Sequence, residues 1–291
     1  MLTRLCCSDP HLTVERCYLL RCPVQSGRSS SATFLSLHQQ RPSELHEGDY
    51  PLIIHADLQA INPPAIMNES SKTNAIRGSH FAKQYLNGNV LDIGAGNDPV
   101  CSHAVIFDQQ HGDANRIDEY FEAEIFDTVH SSHCLEHMAH PESAILKWWS
   151  LVKPGGYMIT VVPHEDFYEQ GIWPSFFNDD HKSSFRLDKV KPLSSMSFDV
   201  RQLHIQLPNS QLISAEIQAQ HLDKNLLMQP GLKPRRLRHP LKLVMSILKR
   251  VTSPESKLRY VFVKWLVSKG YPYDQTTGAA LAQIQIIVQK S

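Results

Sequence analysis

The stretch SSHCLEHMAH, residues 131–140, brings three histidines, a cysteine and a glutamate into ten positions. It contains His-x-x-Glu-His, the pattern of an inverted zinc protease, in which both histidines lie on one helix face and bind zinc. Here FDTVHSS has strand character and runs directly into His133. Because a strand end would separate the imidazoles of His133 and His137, we expect no metal site. His137 and His140 are then ordinary residues at a helix start, and Cys134 is a small buried hydrophobe.

A second group of chemical residues surrounds a glycine turn. In VLDIGAGNDP a short apolar strand, residues 90–93, runs into Gly-Ala-Gly. The glycines allow positive φ and let a ligand approach the backbone closely. Asp92, before the turn, can accept a hydrogen bond from an ammonium group or orient the loop. Asp108 ends the next strand, where a carboxylate can bind both hydroxyls of a ribose.

The surrounding pattern alternates strands with helices. Strands are predicted at residues 90–93, 104–108, 125–133, 157–163, 211–218 and 282–289, and helices in SKTNAIRGSHFAKQYL and PESAILKWWSLV. KPGG is predicted as a turn before the very apolar strand YMITVVP, which should be buried on both faces. Alternating strands and helices indicate an α/β fold with a doubly wound, mostly parallel sheet, whose ligand site lies at the carboxyl ends of the strands.

Three segments in this order resemble a known family. VLDIGAG, FDTVHSSHCLEH and LVKPGGYMITVVP, between about Asn89 and Pro163, are similar to the signature of the class I S-adenosylmethionine-dependent methyltransferases, especially the small-molecule branch. The resemblance implies a Rossmann-like sheet of seven strands with the last antiparallel. It also implies S-adenosylmethionine as cofactor, and methyl transfer to a small molecule or to a glycan or lipid-linked precursor.

The resemblance also assigns residues to the cofactor. They are Asp92, Gly94, Ala95 and Gly96 at the methionine end, Asp108 at the ribose, Asp113 at the adenine, and Ser132 and His133 at the border with the substrate. One departure concerns the link after the second strand. Only four residues separate Asp108 from Asp113, so the helix usual after that strand cannot fit. Asp108 is therefore the firmer assignment.

The catalytic residues are expected after the fifth strand of the family pattern, in PHEDFYEQGIWPSFFNDDHKSSF. Methyl transfer from a sulfonium depends chiefly on alignment, and a hydroxyl acceptor also benefits from a general base. We predict His164 first, next to a strand end, then His181, and His133 because the end of a central strand faces the cleft. The alternative for each is a polar surface loop with inward-packed aromatic residues.

Two other functions remain open. A dinucleotide-dependent oxidoreductase also uses a glycine turn and a ribose-binding acid, but its fingerprint needs a third glycine where Pro99 stands. A noncatalytic module with a degraded methyltransferase site is the other alternative. The glycine turn and Asp108 argue against it, whereas the short link after Asp108 favours it.

Composition limits the partners. Of 291 residues, 42% are hydrophobic and 20% are charged, and the formal net charge is zero, so no nucleic-acid partner is expected. Residues 231–270 differ, with eleven bases and one acid, Glu255. This segment contains the amphipathic stretches LKLVMSILKRV and LRYVFVKWLV and is read either as a solvated helical face or as a patch that contacts phosphorylated substrates or an anionic surface.

The first 66 residues lack helical and strand periodicity and are predicted to be a poorly ordered extension. The gain in pattern after Met67 raises the hypothesis that Met67 is the natural start. We therefore assign the methyltransferase domain to residues 67–291, with a basic helical insertion at about 231–270. Four of the six cysteines lie in the first 22 residues without a C-x-x-C pair or a signal peptide, which favours reduced thiols in a cytoplasmic protein.

Overall fold

The computed structural model describes residues 69–253 and 255–291. The predicted extension and the proposed start at Met67 lie outside these residues. The helices are α1 (Glu69–Ile76), α2 (Ser79–Tyr85), α3 (Pro141–Ser150), α4 (Val200–Ile205), α5 (His239–Val251) and α6 (Lys257–Ser268). The strands are β1 (Val90–Ile93), β2 (Val105–Phe107), β3 (Phe126–Ser132), β4 (Val152–Pro163), β5 (Ser184–Arg186), β6 (Ser197–Asp199), β7 (Ser210–Gln218) and β8 (Gln283–Lys290).

Six strands form the main sheet, in the order β2-β1-β3-β4-β8-β7. The first four are parallel, and β8 is antiparallel to both of its neighbours. This confirms the doubly wound, mostly parallel fold with an antiparallel last strand. The described sheet has six strands where the resemblance implied seven. The link from β2 to β3 holds only a 3₁₀ helix, Ala114–Glu119, and is too short for a further strand and its crossover helix.

Helix α3 covers one face of this sheet and fixes the 3₁₀ segment. Pro141 begins the helix, and Ala144, Ile145, Trp148 and Trp149 are buried against the core. The indole N–H of Trp148 donates to the carbonyl of Ala114 at 2.9 Å. Because this bond reaches the start of the 3₁₀ helix, the packing of α3 also positions the segment that follows β2.

Two local predictions differ from the structure. The single helix expected from SKTNAIRGSHFAKQYL is divided into α1 and α2, because Gly78 takes an extended conformation with φ −65° and ψ 160°. KPGG lies inside β4 and not before it. Its Gly155 has φ +80°, and the pairing of β3 with β4 shifts register between Phe126 and Thr128. Such an irregularity is a β-bulge, which re-aims the strand without ending it.

The predicted basic insertion contains two helices, α5 and α6, in the connection between β7 and β8. The inner faces of these helices contribute Met245, Val263, Leu266 and Val267 to a separate apolar cluster, which Leu226 of the 3₁₀ helix Lys224–Leu226 completes. The connection therefore has a small core of its own. Among the described residues, no helix is long and apolar enough to cross a membrane.

Candidate active site

The glycine turn after β1 is closely packed. Gly94 has φ +77°, and its N–H donates to the carbonyl of Phe107 at 2.8 Å. A Cβ at this position would lie 2.7 Å from the Cβ of Cys134. Both the backbone conformation and the neighbour therefore require glycine. The backbone at Gly94, which bears no side chain, therefore lies at the edge of a cleft.

The Asp92 carboxylate forms hydrogen bonds that hold the chain around this turn. It is fully buried, and its carboxylate accepts the Val100 N–H and the Nδ1–H of His130, each at 2.6 Å. Burial lowers the pKa of His130, against the opposing effect of the Asp92 carboxylate. Asp92 does not line the cleft, and its bond to the Val100 N–H is of the kind that its predicted loop-orienting role requires. Ala95 is likewise buried behind the turn.

The main cleft, of about 680 Å³, opens beside the turn. Its lining includes Gly94, Phe107, Asp108, Gly112, Asp113, Ala114, Asn115, His133, Cys134, His137, Met138, Asp180 and Lys182. The Asp108 carboxylate accepts the N–H of Gly96 at 2.7 Å and that of Gln109 at 2.6 Å. A carboxylate has about four acceptor positions, so Asp108 can hold the loop and still accept bonds from a ligand. Gly96 does not line the cleft itself, but its N–H is bonded to the Asp108 carboxylate, which does.

Asp113 and Asn115 form the far wall of the cleft. The Asp113 carboxylate accepts the Asn115 side-chain amide at 2.8 Å and its backbone N–H at 2.9 Å. These bonds lower the pKa of Asp113. The predicted Asp113 is thus placed at the cleft, whereas Asn115, Met138 and Lys182 were missed. No sequence motif marked these three residues, because they reach the cleft from three separate parts of the chain.

His133 stands where the main cleft meets a second space. It follows β3 directly, with φ +52°, and its N–H donates to the carbonyl of Val161 at 2.9 Å. Its Nε2 lies 3.0 Å from Oε1 of Gln283, and its Nδ1 lies 3.6 Å from Oε1 of Glu136. Burial alone would lower the pKa of His133, but Glu136, Glu69 and Gln283 together raise it to about 9.

The second space is called the polar pocket here and measures about 360 Å³. It is lined by Glu69, His133, Glu136, His137, Tyr168, Asn178, His181, Asp274, Thr276 and Thr277. His133 and His137 line both this pocket and the main cleft. The two spaces therefore share a wall of histidines.

Glu136 is central to that wall. It lies in the 3₁₀ helix Leu135–His137 and is fully buried. Nε2 of His181 and Nε2 of His137 lie 3.9 and 4.0 Å from its Oε1. Among the described residues, none is within hydrogen-bonding distance of either oxygen of Glu136. His181, predicted from sequence, is thus brought to His133 through a glutamate that was quoted in the motif but given no role.

His164 and Ser132, both predicted from the sequence as site residues, are not part of the histidine wall. His164 follows β4, where its N–H donates to the carbonyl of Ala282 at 2.9 Å. Its ring stacks on Phe167 at 4.5 Å, and its Nδ1 accepts the Asp166 N–H at 3.0 Å. These contacts hold the ring of His164, which lines neither space. Ser132 is buried in β3 and lines neither space.

The chain resembles known methyltransferases both in sequence pattern and in structure. Residues 72–211 match the family model described as "Methyltransferase domain". No curated protein matches the chain. Solved structures that resemble it include a SAM-dependent methyltransferase from Archaeoglobus fulgidus, at 14% identity over 75% of this chain and 92% of that chain with a TM-score of 0.38. Another is a possible histamine N-methyltransferase from Thermotoga maritima, at 14% identity over 77% and 88% with a TM-score of 0.37.

At such identities and TM-scores, these structures say nothing about the substrate of this chain. The family match covers the glycine turn, Asp108, His133 and the strands that carry them. Residues 72–211 of this chain are thus similar to the methyltransferase-domain family, and their strands form the mostly parallel α/β sheet of that fold.

Proposed function

We propose that the protein transfers a methyl group to a small molecule that binds in the polar pocket while S-adenosylmethionine occupies the main cleft. The observation that carries this proposal is the shared wall, in which His133 and His137 border both spaces. A cofactor at Gly94 and Asp108 and an acceptor beside Glu136 would then meet at these histidines. The domain that does this extends over residues 67–291, with the basic insertion at about 231–270.

The cofactor supplies an activated methyl on a sulfonium, and the chain's own residues supply binding and alignment. Asp108 would accept the ribose hydroxyls, and the backbone at Gly94 would approach the methionine end. Asp113 and Asn115, which also line the cleft, would face the adenine ring. Ala95, Gly96 and Asp92 contribute by holding the loop.

On the acceptor side, the group His133, Glu136, His137 and His181 takes the role first expected of His164. His133, with its raised pKa, is a cation at neutral pH in the metal-free protein. A cation there would favour the deprotonated, negatively charged form of an acceptor hydroxyl. The group is also partly enclosed, which strengthens such an interaction.

The test begins with S-adenosylhomocysteine, the product form of the cofactor. Calorimetric titration of the full chain should show one binding site, and the chain should release S-adenosylhomocysteine when supplied with S-adenosylmethionine and a fractionated metabolite extract. Binding without turnover in any fraction would favour the noncatalytic module. Absence of binding would refute the proposed function.

We also propose that the basic insertion contacts an anionic surface. Helices α5 and α6 expose apolar side chains, including Leu243, Ile247, Val251, Leu258, Val261 and Trp265. Bases such as Lys249 and Arg250 lie in the last turn of α5. Exposed apolar residues beside bases are typical of interfacial helices. Binding to vesicles containing phosphatidylserine that falls with rising salt supports the proposal, and equal binding to neutral vesicles contradicts it.

A further inference from the structure

We propose that Glu136, His137 and His181 bind a divalent transition-metal ion at the floor of the polar pocket. One ligand atom from each residue can be chosen so that all three lie within 4.8 Å of one another. That spacing suits atoms around one ion, since Zn–N and Zn–O bonds are about 2.0–2.2 Å long. The site differs from the inverted zinc protease pattern, because its third donor comes from His181 and not from His133.

Glu136 lacks the hydrogen bonds that its burial would require. Its carboxylate is fully buried, and no described residue lies within hydrogen-bonding distance of either oxygen. A buried carboxylate without a hydrogen bond is costly even with a charged imidazole nearby, and such groups are normally hydrogen-bonded or bound to metal. The nearest nitrogens, on His133, His181 and His137, stand at 3.6, 3.9 and 4.0 Å from Oε1. These distances are too long for hydrogen bonds but leave room for an ion between Glu136 and two of the rings.

Acceptors behind the imidazoles of His137 and His181 fix which ring nitrogen of each carries the proton. Nδ1 of His181 lies 2.7 Å from Oε1 of Glu169. Nδ1 of His137 lies 3.2 Å from its hydrogen-bond acceptor, the carbonyl oxygen of Asp180, and 3.0 Å from Oδ2 of the same residue. An ionised carboxylate only accepts hydrogen bonds, so each Nδ1 carries the proton. In the neutral ring, Nε2 is then a bare lone pair, and both Nε2 atoms face Glu136. Carboxylates behind histidines in this way are the usual outer partners of metal ligands.

The donor set selects the kind of ion. Two imidazoles and one carboxylate suit Zn²⁺, Fe²⁺ or Mn²⁺, whereas Mg²⁺ and Ca²⁺ prefer oxygen ligands alone. Three protein ligands leave at least one coordination position free, as in catalytic sites. The expectation of no metal came from the strand-end geometry at His133. It did not include His181, which lies 44 residues further along the chain than His137.

The ion would act on the acceptor, and this step rests on the proposed function. Its free position opens into the polar pocket, next to the histidines that border the main cleft. An acceptor hydroxyl bound there would lose its proton more readily, since a metal lowers the pKa of a bound oxygen. The oxygen could then attack the methyl carbon, so that the new O–C bond forms as the C–S bond of the sulfonium breaks and S-adenosylhomocysteine leaves, while the hydroxyl proton passes to solvent. In that arrangement His181 is a ligand and not a base, and the acceptor class is an alcohol or phenol.

The test uses the full chain and does not depend on activity. Protein freed of metal with a chelator is titrated with Zn²⁺ by calorimetry, and Co²⁺ is added to a second sample to record its visible absorption. We expect one ion per chain and the absorption bands of a four- or five-coordinate Co²⁺ site. Glu136→Gln and His181→Ala should each weaken binding at least 10-fold, and Glu169→Gln about 10- to 100-fold.

The matched control is His140→Ala, which removes an exposed histidine of the same stretch and should leave metal affinity unchanged. Wild-type protein that binds no ion in stoichiometric amount refutes the site without recourse to any variant. So does binding that is equally strong in Glu136→Gln and His181→Ala. S-adenosylhomocysteine binding is measured on the same samples. Metal binding without it supports the site and refutes the proposed function, and the reverse result does the opposite.

Discussion

Replacing Gly94 by alanine tests whether the turn is built for close approach. At φ +77° an alanine costs about 1–2 kcal/mol relative to glycine. Its Cβ would also lie 2.7 Å from Cβ and 3.0 Å from Sγ of Cys134. Overpacking of this kind costs about 1–3 kcal/mol. Cys134 has little freedom to move, since Leu135 and Glu136 after it are fully buried. The expected loss in the free energy of unfolding is therefore about 2–5 kcal/mol.

Gly155→Ala is the matched control. Gly155 has φ +80°, and a Cβ there would meet nothing within 4 Å. It should show only the conformational cost, about 1–2 kcal/mol. Urea denaturation of both variants gives the difference, and calorimetry with S-adenosylhomocysteine should show weaker binding for Gly94→Ala alone. Equal losses of stability in the two variants would refute the contact argument, and undiminished cofactor affinity would refute the role of the turn.

Three further predictions follow from other contacts. Asp108→Asn should weaken S-adenosylhomocysteine binding about 10- to 150-fold, as expected for lost bonds to a charged acceptor. Asp118→Asn, at an exposed ion pair, should leave that binding unchanged. An analogue that lacks both the 2′ and 3′ hydroxyls and still binds Asp108→Asn much more weakly than wild type would contradict ribose recognition. Burial lowers the pKa of His204 from 6.5 to about 4, so stability is complete above pH 6.5 and falls by up to about 3 kcal/mol toward pH 4. Urea titrations from pH 7 to 4 should show this loss, and His204→Gln should reduce it. His164→Ala should lower stability by about 1–3 kcal/mol, from lost packing on Phe167, with cofactor affinity unchanged. A selective loss of turnover at full stability would restore His164 as a catalytic residue.

The sequence was sufficient where function depends on local chain geometry. A glycine turn between an apolar strand and a loop predicts its own conformation, and Asp108 sits at the end of β2 as its position in the pattern requires. The sheet class followed from alternation of strands and helices. The number of strands did not follow, because the link after Asp108 was read as a lost helix and not also as a lost strand.

The polar pocket could not be predicted in the same way. Glu136, Glu169 and His181 come from separate segments and converge only through the packing of the loops after β3 and β4. His164 shows the complementary limit. A residue next to a strand end is close to the cleft along the chain, but its rotation depends on the backbone bond to Ala282 and on Phe167. No spacing in the sequence reports either contact.

The place of β8 between β4 and β7 has a consequence for folding. Its partners, from Tyr157 to Pro163 on β4, precede it by more than a hundred residues. Until residues 283–290 arrive, the apolar strand β4 has an unpaired edge, and β7 has no neighbour in the sheet at all. Contacts this distant form slowly, and open apolar edges favour association with other chains. During synthesis, the helical insertion at residues 231–270 therefore emerges before β8, while the edge of β4 is still unpaired.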